Sequence, residues 1–143
     1  MKQVIENNDG YRFFYQNDLP IKREQDLHII YRLTWFATPS DVNREVNNGR
    51  GPVDFKISRG SSDNTVVEFK LASNSHLKRN LQKQVDIYKT ANQTKDSLTV
   101  IFFFSENEEK GVHAILKELG EENNSDIILI DARADNKPSA SIA

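Results

Sequence analysis

The sequence predicts an α/β fold, a mixed β-sheet flanked by helices. Two runs, 53–58 and 65–71, alternate apolar with polar residues on either side of a stretch rich in Gly, Ser, Asp and Asn, the pattern of a β-hairpin. Residues 76–91 place Leu77, Leu81, Val85 and Tyr88 on one helical stripe, and the near-continuous apolar run 98–104 that follows has the length of a buried strand. A second helical segment, 106–119, then leads to a short strand at 126–130.

The earlier elements follow from local chemistry. Aromatic residues at 11–16 predict a short strand, and Asn17-Asp18-Leu19-Pro20 reads as a turn into a helix. Leu27, Ile30, Tyr31 and Thr34 form one stripe of that helix, over 21–36. In Thr38-Pro39-Ser40-Asp41, a capping Thr, a first-turn Pro and an acid three residues after the cap predict a further short helix, ending at Asn47-Asn48-Gly49. Residues 1–10 and 132–143 lack periodicity and read as flexible ends. The chain's 143 residues are the length of a single domain.

Composition removes several function classes. With no cysteine, the chain has no disulfide, no cysteine-ligated zinc and no thiol nucleophile. A mean hydropathy of -0.64 and the lack of a long apolar run argue against a membrane anchor, and residues 1–8 lack a signal-peptide core. The expectation is a cytoplasmic protein. Neither Gly49-Arg50-Gly51 nor Gly60-Ser61-Ser62 continues into a phosphate-binding or dinucleotide fingerprint. His28, His76 and His113 lack metal-ligand spacing. The net charge of -2 conceals a basic middle: residues 42–95 hold ten Lys/Arg against five acids. That middle can face phosphate, although solvated helix faces give the same count.

Side chains two apart on a strand share a face, so Glu68 and Lys70 point opposite to Val67, Phe69 and Leu71. Across the hairpin, Asp54 and Lys56 share a face, and a turn centred near Ser61 brings Asp54 close to Glu68. Two carboxylates that close repel unless a cation lies between them, and a hard divalent ion such as Mg²⁺ or Mn²⁺ is the simplest neutraliser. An alternating charged face on a hairpin also arises with no function at all. On the next helix, Gln84 lies beside the apolar stripe, one turn before Tyr88, where it can fix a ligand, a water or a phosphate.

Asp54, then Glu68-Phe69-Lys70, then Gln84-Val85-Asp86-Ile87-Tyr88 resembles the PD-(D/E)XK nuclease superfamily, including its Q-x-x-x-Y branch. The likeness spans the middle third of the chain and departs from the motif at Val53, with Pro52 one position earlier. It implies a restriction-endonuclease-like core and a Mg²⁺-dependent nuclease acting on DNA, with RNA as the open alternative. In that reading Asp54 and Glu68 hold the ion, the Phe69 carbonyl adds an oxygen, Lys70 orients or activates the attacking water, and Gln84 positions water or substrate. An upstream helical glutamate commonly completes such a site. Glu45 is preferred for its closeness to Asp54, and Glu24 is the competitor, equally readable as a first-turn helix acid.

Arg50, Lys56, Lys78, Arg79, Lys83 and Tyr88 are the candidate nucleic-acid contacts. Five of the six have an ordinary alternative: Arg50 sits in a Gly-rich turn, Lys78, Arg79 and Lys83 form a solvated helix face, and Tyr88 is a core aromatic. A homo-oligomer or an attached targeting domain would set target choice. The competing functions are a catalytically silent nuclease-like fold that binds nucleic acid or a protein, and a plain interaction domain.

Overall fold

The computed structural model describes residues 1–35, 41–47, 52–58, 64–90 and 96–137. It opens with helix α1 (Lys2–Asn7), a 3₁₀ turn (Gly10–Phe14) and a small hairpin of β1 (Tyr15–Gln16) and β2 (Leu19–Pro20). Helix α2 (Glu24–Trp35) follows, then β3 (Asp41–Asn47), β4 (Pro52–Ser58), β5 (Asn64–Leu71), α3 (Leu77–Thr90), β6 (Asp96–Phe103), α4 (Glu106–Leu119) and β7 (Ile127–Asp131). The main sheet runs β3-β4-β5-β6-β7, antiparallel from β3 to β5 and parallel from β5 to β7. This is the mixed α/β architecture expected from the sequence.

Alternation along the strands builds two cores, one on each face of the sheet. Val67, Phe69 and Leu71 of β5, with Val100 and Phe102 of β6, pack against Leu27 and Tyr31 of α2 and against Ile5, Phe14 and Ile21. Rings carry this layer: Tyr31 lies 4.6 Å from Phe69, and Phe14 lies 5.0 Å from Phe102, centroid to centroid. On the other face Ile101 meets Leu77 and Leu81 of α3 and Val112 and Leu116 of α4. The two parallel crossovers therefore lay both helices on one face, above the β5-β6-β7 half of the sheet.

Three sequence expectations are corrected. Residues 41–47 form a strand, not the end of a helix: Asp41 pairs with Ser58 and Asn47 with Pro52 along a ladder of β3 with β4. Val42 and Val46 are four apart, a spacing that fits a helical stripe and one face of a strand equally, and pairing with β4 selects the strand. The 11–16 segment divides into a 3₁₀ turn and a two-residue strand, because Asn17 and Asp18 both take positive φ in the two-residue loop between Gln16 and Leu19.

The ends are also more ordered than composition predicts. Helix α1 lies along β7, a sheet edge, where Lys2 Nζ donates to the Leu129 carbonyl (2.6 Å) and Glu6 Oε1 accepts from the Asp131 N–H (3.0 Å). It thereby covers main-chain groups that would otherwise template pairing with another chain. Beyond β7, the Tyr15 hydroxyl donates to the Ala132 carbonyl and accepts from the Ala134 N–H, both at 2.9 Å. Residues 138–143 lie outside the described residues.

Candidate functional site

Glu68 reaches its position by strand alternation. Its neighbours Val67 and Phe69 are buried in the α2 layer, so its carboxylate is turned to the α3 face, half-buried at 12% side-chain exposure. Lys70, two residues on, shares that face, with Nζ 3.6 Å from Glu68 Oε2. Gln84 Nε2 donates to the same oxygen from the middle of α3. The amide is oriented from its other end, where the Thr99 hydroxyl donates to Gln84 Oε1 at 3.5 Å. Thr99 is the register partner of Glu68 on β6.

Register brings further acids into this row. The β4–β5 pairing ends at Phe55 with Val67, and the same offset one step further sets the backbone of Asp54 opposite Glu68. On the other side of β4, the position of Glu45 matches Asp54, between the pairs Arg44 with Phe55 and Val46 with Val53. Glu45, Asp54, Glu68 and Thr99 thus occupy one row across four adjacent strands. Glu45 sits there as a strand residue, not on the helix expected for it. Of Glu45, Asp54, Lys56 and Tyr88 only the backbone is described; their side chains and all of Arg50 lie outside the described residues.

The β5 backbone adds an oxygen. Ala72 N donates to the Phe102 carbonyl, so the even-numbered residues of β5 direct their main-chain groups to β6 and the odd-numbered ones to β4. The Phe69 carbonyl is therefore on the β4 side, just past the Phe55–Val67 pair that ends that ladder. Next along this edge, the Leu71 N–H donates to Glu24 Oε1 at 3.2 Å, and Asn74 Nδ2 donates to the same atom at 3.0 Å. Glu24, in the first turn of α2, thus ties that helix to the end of β5.

The basic candidates on α3 are not brought to Glu68. Lys78 Nζ binds Glu118 Oε1 of α4 at 2.6 Å, and Lys78, Arg79 and Lys83 are exposed. His28 is buried in the α2 layer, while His76 and His113 are exposed. Among the described residues, no three His, Asp or Glu side chains gather as a metal group.

Beside the cluster, Gln84 and Thr99 also line a cleft of about 260 Å³ between α3, α4 and the starts of β6 and β7. Sequence reasoning missed Thr99 and this cleft. The one signal for Thr99 is a hydroxyl in the otherwise apolar stretch 98–104.

Among the described residues the donor set is all oxygen, the Glu68 carboxylate and the Phe69 carbonyl, with the backbones of Glu45 and Asp54 in Glu68's row. It suits a hard divalent cation, with an ammonium and an amide fixing the one carboxylate whose contacts are described. Fold and site together define a mixed α/β protein with a half-buried carboxylate–ammonium–amide cluster on its central strand. The chain belongs to the family described as a domain of unknown function (DUF8371), whose model matches residues 1–106. That span includes every residue of the cluster. No curated protein matches the chain.

Proposed function

We propose that this protein is a Mg²⁺-dependent nuclease, with Mn²⁺ as a substitute ion, built on a restriction-endonuclease-like core and hydrolysing phosphodiester bonds in DNA. The observation that carries the reading is the row of Glu45, Asp54 and Glu68 on adjacent strands, with Lys70 and Gln84 both engaged on Glu68. A solvated charged hairpin face has no need of an inward glutamine fixed by a buried threonine.

In this reading Asp54 and Glu68 hold the ion, with the Phe69 carbonyl and Glu45 as further oxygens. The ion supplies positive charge against that gathering on the phosphate, and acidifies water. Lys70 orients the attacking water and donates to a phosphate oxygen through an ammonium already anchored 3.6 Å from Glu68. Gln84 keeps the carboxylate from rotating away from the row. Lys56 and Arg50, on β4 and in the segment before it, are the nearest candidates along the chain for backbone phosphates. Among the described residues no helix is long and apolar enough to cross a membrane; a cytoplasmic location belongs to the same proposal. An oligomer or an attached domain would direct it to its target.

The test is incubation with supercoiled, linear and single-stranded DNA, and with RNA, in Mg²⁺, Mn²⁺ or EDTA. Cutting that needs the ion and is lost in Glu68→Ala and Lys70→Ala is the expected result. Binding without cutting would identify a silent nuclease-like fold, and neither activity a plain interaction domain.

A further inference from the structure

The cleft beside Gln84 has an apolar body made by Leu81 and Val85 of α3, Leu116 and Leu119 of α4, and Ile127 of β7. At about 260 Å³ it falls below the ~300–1,000 Å³ of drug-sized pockets and suits a single ring system. Among the described residues no lysine or arginine lines it.

Its two acidic groups, Glu121 and Asp126, are acceptors. The Asn124 amide is partly engaged, donating one N–H to Glu121 Oε2 at 2.8 Å and accepting from the Asp126 N–H at 2.9 Å. Gln84 gives one amide N–H to Glu68, and its Oε1 accepts from the Thr99 hydroxyl with a second lone pair to spare. The acceptors lining the cleft are thus Gln84 Oε1 and the Glu121 and Asp126 carboxylates, and the side-chain donors not already engaged are the Ser97 hydroxyl and the second N–H of the Gln84 and Asn124 amides, so the two carboxylates set the preference for a ligand that donates. A flat apolar body carrying N–H donors is the complement.

Position connects the cleft to the cluster. Thr99 is opposite Glu68 on the next strand, about 4.8 Å away, so the cleft begins one strand from the carboxylate. We propose that the cleft receives an unstacked nucleobase bearing an exocyclic amino group, from the nucleotide whose phosphate faces Glu68 and Lys70. This inference rests on the nuclease reading. Cytosine N4 or adenine N6 meets Asp126 and Gln84 Oε1, whereas thymine turns its O4 carbonyl to the same acceptors and is disfavoured. The base is read on its edge and held by aliphatic walls, so the substrate is single-stranded or locally unpaired.

The experiment is a fluorescence-anisotropy titration of labelled oligo-dC and oligo-dT at pH 8 in EDTA, where no cutting occurs. The native protein is expected to bind oligo-dC about fivefold or more tighter. Asp126→Asn, which exchanges an acceptor for a donor at an exposed position, is expected to abolish most of that preference. Val85→Phe, which fills the cleft, should lower oligo-dC binding to the oligo-dT level. Equal affinities in the native protein, a preference untouched by Asp126→Asn, or no binding of either oligonucleotide overturns the proposal. Mg²⁺-dependent cutting without base preference removes the cleft and leaves the nuclease, while base preference without cutting keeps the cleft and removes the nuclease.

Discussion

Glu68 Oε2 receives both the Lys70 ammonium and the Gln84 amide, so the two partners hold the carboxylate in different ways. Lys70 supplies charge, and Gln84 supplies direction. Lys70→Met keeps most of the side-chain volume and removes the charge, and is expected to reduce metal-dependent cutting about 100-fold or more while the melting temperature changes little. Initial rates and a thermal melt on the same preparation check this. Glu24 makes a separate contribution, to stability. Glu24→Ala leaves the Leu71 N–H and the Asn74 amide without their acceptor and is expected to cost ~1–2 kcal/mol in a urea titration. Glu24→Gln keeps an oxygen there and should recover most of the loss.

Helix α4 shows how far local chemistry reaches at the level of the element. Ser105 Oγ accepts from the Glu108 N–H at 3.1 Å, and Gly120, with φ of 71°, ends the helix by donating to the Leu116 and Lys117 carbonyls. Ser105→Ala is expected to lower stability by ~1 kcal/mol, read as a shift in denaturant midpoint at unchanged slope. The β4–β5 hairpin, α3 and α4 were legible in the sequence because each has a period that only one element satisfies, and β6 and β7 because a short apolar run after a helix has the length of a strand. Strand β3 was not, because its two valines fit both periods and the cap chemistry before it favoured a helix. Helix α1 escaped because six residues are too few to show periodicity, and its order comes from contacts to β7 more than 120 residues away. At the site, the facing of Glu68 and Lys70 and the inward Gln84 were readable from spacing. Thr99 was not, since its partnership depends on the parallel register of two strands separated by a helix.

Across the whole molecule, pH acts on the clasp that holds the C-terminal segment. Burial raises the Asp131 carboxyl, but the Arg133 N–H, the Asn136 amide and the Lys137 ammonium outweigh it and hold its pKa below the ordinary aspartate value. That contribution is complete above the ordinary pKa and is lost as pH falls through the depressed one. Tyr15 behaves oppositely: burial raises its hydroxyl, so its contribution is complete below the ordinary tyrosine value and is lost as pH rises through the raised one. Hydrogen exchange of the 132–137 amides, corrected for intrinsic rates, is expected to show least protection at both extremes, with Asp131→Asn flattening the acid limb.

The grip of α1 on β7 also fixes an order of events. Lys2 and Glu6 bond to groups 127 and 125 positions further along, the longest-range hydrogen bonds noted above. A loop of that size closes only after the intervening strands have shortened it by pairing. Helix α1 is therefore made long before the strand it docks on, and during synthesis its buried residue Ile5 waits for a partner that has yet to be made.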